Sequence, residues 1–324
     1  MKAMVYNKYG TTNVLNLKEV EIPALKNNEV LVKVYAVSVN SWDWDLMRGK
    51  PFLARLGGLL KPKYKILGAD IAGRVEAVGK DVKHLFEGDE VFGDISWCGW
   101  GGFAEYVCVR EDALTLKPAN MTFEEAAAIP QAAVLALQGL RDKGRIQDAQ
   151  KVLINGAGGG VGTFALQIAK LYGAEVTCVD STRKLDTLKS IGADHVIDYT
   201  QEDFTQNDQF YDLILDVVGN RSIFDYKRLL NPKGTYVMVG GSLTLMFQLL
   251  FLGPLISKTE SKNMSILVHK PNKTDQNFLM ELFVADKLVP VIDRRYSLSQ
   301  VAEAIRYLGE GHAKGKVIIC VEHI

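Results

Sequence analysis

Residues 155–162 read NGAGGGVG, a glycine cluster that follows the apolar run KVLIN and opens a helix-like run, GTFALQIAKLYG. Backbone without Cβ atoms lets a polyphosphate approach closely. A helix that starts there offers its unpaired N–H groups and the positive end of its dipole to the charge. The pattern is Ala157-x-Gly159-x-x-Gly162, with Ala157 where the usual dinucleotide fingerprint has its first glycine. Gly159 and Gly160 are placed for close approach to a pyrophosphate, and Gly162 for close packing of helix on sheet. Asp180 ends the next apolar run, EVTCVD, at about the spacing where an acid takes the ribose hydroxyls and repels a 2′-phosphate. Yet Ser181, Arg183 and Lys184 follow at once. A hydroxyl beside a guanidinium and an ammonium suits a 2′-phosphate, although Arg183 and Lys184 also read as the solvated first turn of a helix. The cations outweigh one partly solvated acid, because a phosphate gains several charge-assisted bonds. NADPH is therefore favoured, with NADH the alternative.

A second stretch, VSVNSWDWD at 37–45, closes an apolar run with Asn40, Asp43 and Asp45 beside Trp42 and Trp44. It reads as a metal site, as the polar corner of an active site, or as the loop after a strand. Asp43 suits backbone hydrogen bonds that brace the loop better than proton transfer. The indoles read as pocket wall or core. Metal chemistry finds little support elsewhere: the four cysteines form no CxxC pair, the five histidines are scattered, and no HExxH unit occurs.

The elements that must position these residues fall into two textures. Up to about residue 120 the chain is β-rich, with near-alternating runs at 30–39, 71–79 and 103–109 and glycine turns between them. Thr122 with Glu125 then forms a capping-box signature, and Pro130 is set to break or bend the Ala-rich helix that follows. From residue 151, apolar strands alternate with helices, as in a parallel sheet covered on both faces. At 48% hydrophobic and 23% charged residues the composition is that of an ordinary globular protein, and the formal net charge of zero gives no attraction to nucleic acid. No signal-peptide core is seen, and the apolar run 243–256 is shorter than the ~20 residues of a membrane span. That run reads as a flap over an apolar pocket or as a buried or dimer-facing hairpin, with peripheral membrane contact disfavoured because no basic face accompanies it. Cysteine usage and these absences make a cytoplasmic location the expectation.

The chain resembles the medium-chain dehydrogenase/reductases, in their zinc-independent quinone oxidoreductase branch, over essentially its whole length. The resemblance rests on LGADIAGRVEAVGKDVKHLFEGDEVFGD at 67–94, AGGGVG at 157–162, SIGADHVIDY at 190–199 and LDVVG at 215–219. It implies a GroES-like β-rich domain over residues 1–122, a doubly wound parallel-sheet (Rossmann) cofactor domain over 123–286, and a return segment of the first domain over 287–324. The cofactor is expected outside the carboxyl ends of the parallel strands.

By the same resemblance Asn40 faces the nicotinamide and substrate, and Gly159, Gly160 and Val161 contact the pyrophosphate. Ser181 with Lys184 meets a 2′-phosphate, Tyr199 lies along the adenosine side, and Val218, Gly241 and Ser242 border the nicotinamide half. Lys316 stands where the tail passes the cofactor, with a surface charge as the equal reading. Leu135 departs from the pattern, since relatives often have Thr there.

Zinc members of the superfamily carry Cys, His and Cys where this chain has Asn40, Ala69 and the neighbourhood of Pro130, so no zinc is expected. Without a Lewis acid, hydride from a reduced nicotinamide suits electron-poor acceptors, quinones or activated alkenes and carbonyls of small apolar or aromatic type. The alternatives are a non-catalytic NADPH-binding regulatory protein and an enoyl-thioester reductase; no Tyr lies between 36 and 63 to serve the latter as an acid. A homodimer through the strand near 264–269 is expected by analogy, with no nucleic-acid partner and no stable membrane insertion.

Overall fold

The computed structural model describes residues 1–56 and 58–323. In chain order the strands are β1 Lys2–Val5, β2 Asn16–Glu19, β3 Glu29–Val39, β4 Asp70–Val78, β5 Glu90–Asp94, β6 Tyr106–Arg110, β7 Thr115–Leu116, β8 Lys151–Asn155, β9 Glu175–Asp180, β10 His195–Asp198, β11 Tyr211–Asp216, β12 Leu230–Met238, β13 Asn263–Ile266, β14 Ile292–Ser297 and β15 Lys316–Cys320. The α-helices are α1 Ser41–Arg48, α2 Phe123–Ala128, α3 Pro130–Leu137, α4 Gly160–Leu171, α5 Thr182–Ser190, α6 Ile223–Leu229, α7 Leu243–Thr259, α8 Lys273–Val284 and α9 Val301–Gly309.

The chain forms two compact units. Unit 1 comprises Met1–Gln131, Pro271–Val284 and Ile292–Ile324, and unit 2 comprises Ala132–Lys270 with Ala285–Val291. The first division falls a helix later than the expected 122, because α2 packs on β3, β4 and β15. Around the expected 286 the chain crosses more than once, because α8 packs against β7.

Unit 1 is built on a sheet in the order β14-β15-β3-β4-β5-β7, with β6 also paired to β3. Every pairing in it is antiparallel except β14 with β15. The alternating pattern of β3 sends Val30, Val32, Val34, Val37 and Val39 into the core, where they meet Ile71, Phe103, Val317 and Ile319. Unit 2 is a parallel sheet in the order β10-β9-β8-β11-β12-β13. Its strands are apolar along their length because helices cover such sheets on both faces.

Two expectations fail locally. Residues 41–48 form a helix, not a loop: Asn40 is its N-cap, in a capping box with Asp43, and Gly49 closes it in the left-handed conformation at φ 59°. Residues 243–256 form not a hairpin but the body of α7, which runs through Pro254. Leu245, Leu249 and Ile256 anchor it in the unit 2 core. Ser257 Oγ donates to Gly253 O at 2.9 Å, which occupies a backbone acceptor next to the proline.

Candidate active site

Four strand ends meet at one end of the large sheet of unit 1. Strand β3 ends at Val39, β4 begins at Asp70, β5 ends at Asp94 and β15 begins at Lys316. The register sets Val39 against Val317, Ser38 against Asp70, and Asp70 against Asp94. Residues remote in sequence thus become neighbours, and all are buried: Asn40, Asp43, Asp70, Asp94 and Lys316. Lys316 is no surface charge.

Lys316 Nζ donates to Asn40 Oδ1 at 2.7 Å, and Asn40 Nδ2 donates to Asp70 Oδ2 at 2.9 Å. The Gln131 amide reaches the same Asp70 oxygen at 3.3 Å, and Lys316 Nζ lies 3.9 Å from it. The other oxygen, Asp70 Oδ1, is buried with no hydrogen-bond partner among the described residues. Asp43 accepts the Asn40 amide at 2.8 Å on Oδ2 and the Gly68 amide at 2.9 Å on Oδ1, so it ties the start of α1 to the segment that leads into β4. Trp42 is half exposed, whereas Trp44 packs on α9, where a Cβ at Gly309 would lie 2.3 Å from its ring.

Three buried carboxyls face one ammonium, and burial disfavours every charge among them. Burial pushes Asp43 up to about 7, against the pull of its two backbone donors and of Lys316. Burial likewise raises Asp70, with Lys316 drawing it down and Asp94 pushing it further up. Lys316 is lowered by burial, against the attraction of Asp70, Asp43 and Asp94. Asp43 and Asp70 therefore hold protons that water-exposed carboxyls would release, whereas Lys316 gives up its proton more readily than an exposed lysine.

These residues do not fit a zinc ion. Thiolate and imidazole are absent from positions 40 and 69, and the Asn40 oxygen already accepts from an ammonium. A divalent ion beside it would meet like charge.

In unit 2 the expected residues follow the carboxyl ends of five neighbouring parallel strands, β8 to β12. Gly159 is the N-cap of α4. A Cβ on Gly162 would lie 2.4 Å from the carbonyl oxygens of Gly156 and Ala157, so the packing of α4 demands glycine there. A Cβ on Gly159 would meet only Gly156 O at 3.6 Å, so the chain itself makes no such demand at that position. Gly160 and Val161 begin α4, whose first N–H groups have no intrahelical partner.

Asp180 is not partly solvated as expected but buried. Its Oδ2 accepts Gly158 N at 2.8 Å, its Oδ1 accepts Ser181 N at 2.8 Å, and Lys184 Nζ lies 3.3 Å from Oδ1. The cause is the four-residue spacing across the start of α5, which brings Lys184 back over the acid. A Cβ on Gly158 would lie 2.6 Å from Lys184 Cδ, so this glycine makes room for the pair. Arg183 is exposed on the first turn of α5, and Ser181 is that helix's N-cap. Tyr199 and Val218 are about half exposed. Ser242 caps α7, and its amide donates to Gly219 O at 2.9 Å, which stitches the 217–219 turn to Gly241 and Ser242.

Sequence reasoning missed Asp70, Asp94 and a second buried acid, Asp216, at the end of β11. The signal for the first two was a charged residue at the edge of an apolar run. Asp216 accepts Tyr236 OH at 2.6 Å on one oxygen, and Asn155 Nδ2 at 2.9 Å, Gly219 N at 2.8 Å and Val218 N at 3.2 Å on the other.

Residues 26–119 match the alcohol dehydrogenase GroES-like domain family, and residues 191–319 match the zinc-binding dehydrogenase family. A 2-methylene-furan-3-one reductase of Solanum lycopersicum is 35% identical over 98% of this chain and 79% of its own length. A chloroplastic NADPH-dependent alkenal/one oxidoreductase of Arabidopsis thaliana is 32% identical, with the same coverages of 98% and 79%. The structure of the quinone oxidoreductase from Coxiella burnetii superposes with a TM-score of 0.90 at 31% identity, over 99% of each chain.

Proposed function

The chain belongs to the medium-chain dehydrogenase/reductase superfamily, in its quinone oxidoreductase branch, and on that premise we propose that it is a zinc-free, NADPH-dependent reductase of quinones or activated alkenes and carbonyls. The observation that carries this reading is the buried run Lys316–Asn40–Asp70, with an ammonium where zinc dehydrogenases need an open metal site. The relatives are reductases of the same acceptor classes by name.

When bound, the reduced nicotinamide supplies the hydride. The chain's own residues bind, orient and manage the proton. The Asn40 amide is held from both sides, accepting from Lys316 and donating to Asp70, and so presents a fixed edge. Lys316, made a stronger acid by burial, holds a proton and a positive charge where an acceptor oxygen gains negative charge. In unit 2, the amides of Gly159, Gly160 and Val161 take the pyrophosphate. Asp180 and Lys184 neutralise each other and brace the Gly158 turn, which removes the repulsion that an open acid would exert on a 2′-phosphate. Ser181 and Arg183 bind that phosphate, Tyr199 flanks the adenosine, and Val218, Gly241 and Ser242 border the nicotinamide.

Cofactor consumption with a panel of quinones and enones tests the activity. No rate above background with any of them, in protein that binds NADPH, would replace this reading with a non-catalytic binding role. Arg183→Ala is expected to weaken NADPH about tenfold and leave NADH unchanged, read by titration of both cofactors. Tight, chelator-resistant zinc in the purified protein would refute the metal-free assignment.

A further inference from the structure

We infer that residues 50–56 and 58–65 of unit 1 dock the protein on an anionic lipid surface. The chain as a whole is neutral, yet residues 46–69 contain no acid and six cations, Arg48, Lys50, Arg55, Lys61, Lys63 and Lys65. Lys50, Lys61, Lys63 and Lys65 are exposed. Between them stand apolar side chains in water: Leu60 is 91% exposed, Leu56 75%, Phe52 63% and Leu59 59%.

The segment is braced, so these side chains are held outward. Tyr9 OH donates to Gly58 O at 2.5 Å, and the Arg55 guanidinium lies over the Tyr9 ring at 4.8 Å while its Nε donates to Gly49 O at 2.9 Å. Downstream, Tyr6 N donates to Lys65 O at 3.0 Å, and Ile66 bridges to Val5.

Apolar tips flanked by lysines match a leaflet interface, where acyl chains take the tips and anionic headgroups take the ammonium groups. Charge complementarity selects this occupant over a second copy of the same face, which would set lysine against lysine. Helix α7 shows the contrast. It exposes Phe247, Leu250, Phe251 and Leu255, but no charged residue occurs from Gly234 to Ser257, and nothing there selects an occupant. Among the described residues no helix is long and apolar enough to cross a membrane, so the contact is superficial.

The test is flotation of the full chain with vesicles of phosphatidylcholine, alone and with phosphatidylglycerol added. Binding is expected only to the anionic vesicles, with release as sodium chloride rises from about 0.05 M to about 0.5 M. Each of Lys61→Gln, Lys63→Gln and Lys65→Gln should weaken partition about fivefold. The double variant Leu56→Ser, Leu60→Ser should abolish it while cofactor affinity and melting temperature stay unchanged. Absence of binding to either vesicle overturns the inference, as does equal binding to both. So does a concentration-dependent dimer that Leu60→Ser dissolves, since a second copy would then cover this face.

Discussion

Each unit buries an aspartate at the end of a strand, and the two are treated differently. Asp216 in unit 2 has donors on both oxygens: a phenol, an amide side chain and two backbone N–H groups. Asp70 in unit 1 receives its donors on one oxygen and leaves the other without a partner. A saturated carboxylate in low dielectric is a joint. It fixes the turn after β11, and removal of any one donor costs only that bond. A half-satisfied carboxyl beside a buried ammonium is held by burial in a state that a further donor or a proton would relieve. The difference separates an aspartate whose hydrogen bonds are complete from one whose are not.

The largest expected effect probes the unit 1 cluster. Lys316→Met leaves Asp70 without its cation and should cost about 3–5 kcal/mol of stability at pH 8. The loss should shrink at pH 5, where Asp70 takes up a proton; urea unfolding at both values measures it, and an equal loss at both would break the comparison.

Next in size is the pH dependence of the parent chain. Asp43 is raised from 3.8 to about 7, so between these values the folded state binds a proton that the unfolded state has released. Stability from this source is complete below 3.8 and is lost as pH rises through 7, an effect on the order of 2 kcal/mol between about pH 5 and pH 8. Asp45, raised to about 6 by burial, acts in the same direction. Asp70, also raised by burial, adds to the same slope, whereas acids lowered in the fold, such as Asp194 and Asp203, act below this window. Asp43→Asn should flatten the slope of unfolding midpoint against pH, and an unchanged slope would remove Asp43 from the proton-holding cluster.

The smallest effect belongs to unit 2. Tyr236→Phe removes one donor from Asp216 and should cost about 1–2 kcal/mol, read by urea unfolding. A loss as large as that of Lys316→Met would erase the contrast with Asp70.

How much of this could be read from residues alone depends on how local the cause is. The glycine turn was legible because strand, turn and helix start lie within a dozen residues and each demands its own chemistry. Both sheets were legible from runs such as those of β3 and β8, whose patterns differ because one is only half-buried on its second face and the other is buried on both sides. Asp70 was not legible as a site residue, because its role depends on a register that joins it to Asn40, Asp94 and Lys316. Helix α1 was readable in principle: Asn40 followed three residues later by Asp43 is a helix-start signal, masked by the indoles and carboxylates that read as a polar loop. Helix α7 was misread because Gly253 and Pro254 are strong local breakers. Tertiary burial of Leu245, Leu249 and Ile256 outweighs them.

Lys316 reaches Asn40 across 276 residues of chain, on a strand inserted between β14 and β3. During synthesis, the segment that forms the parallel sheet of unit 2 leaves the ribosome while unit 1 still lacks an inner strand and the only cation within its acidic cluster among the described residues. Until then Asp70 and Asp94 sit in an unfinished sheet with no ammonium to answer them. Without β15, unit 1 would keep one edge of β3 unpaired along Ala36–Val39, an open strand edge of the kind that invites pairing with another chain.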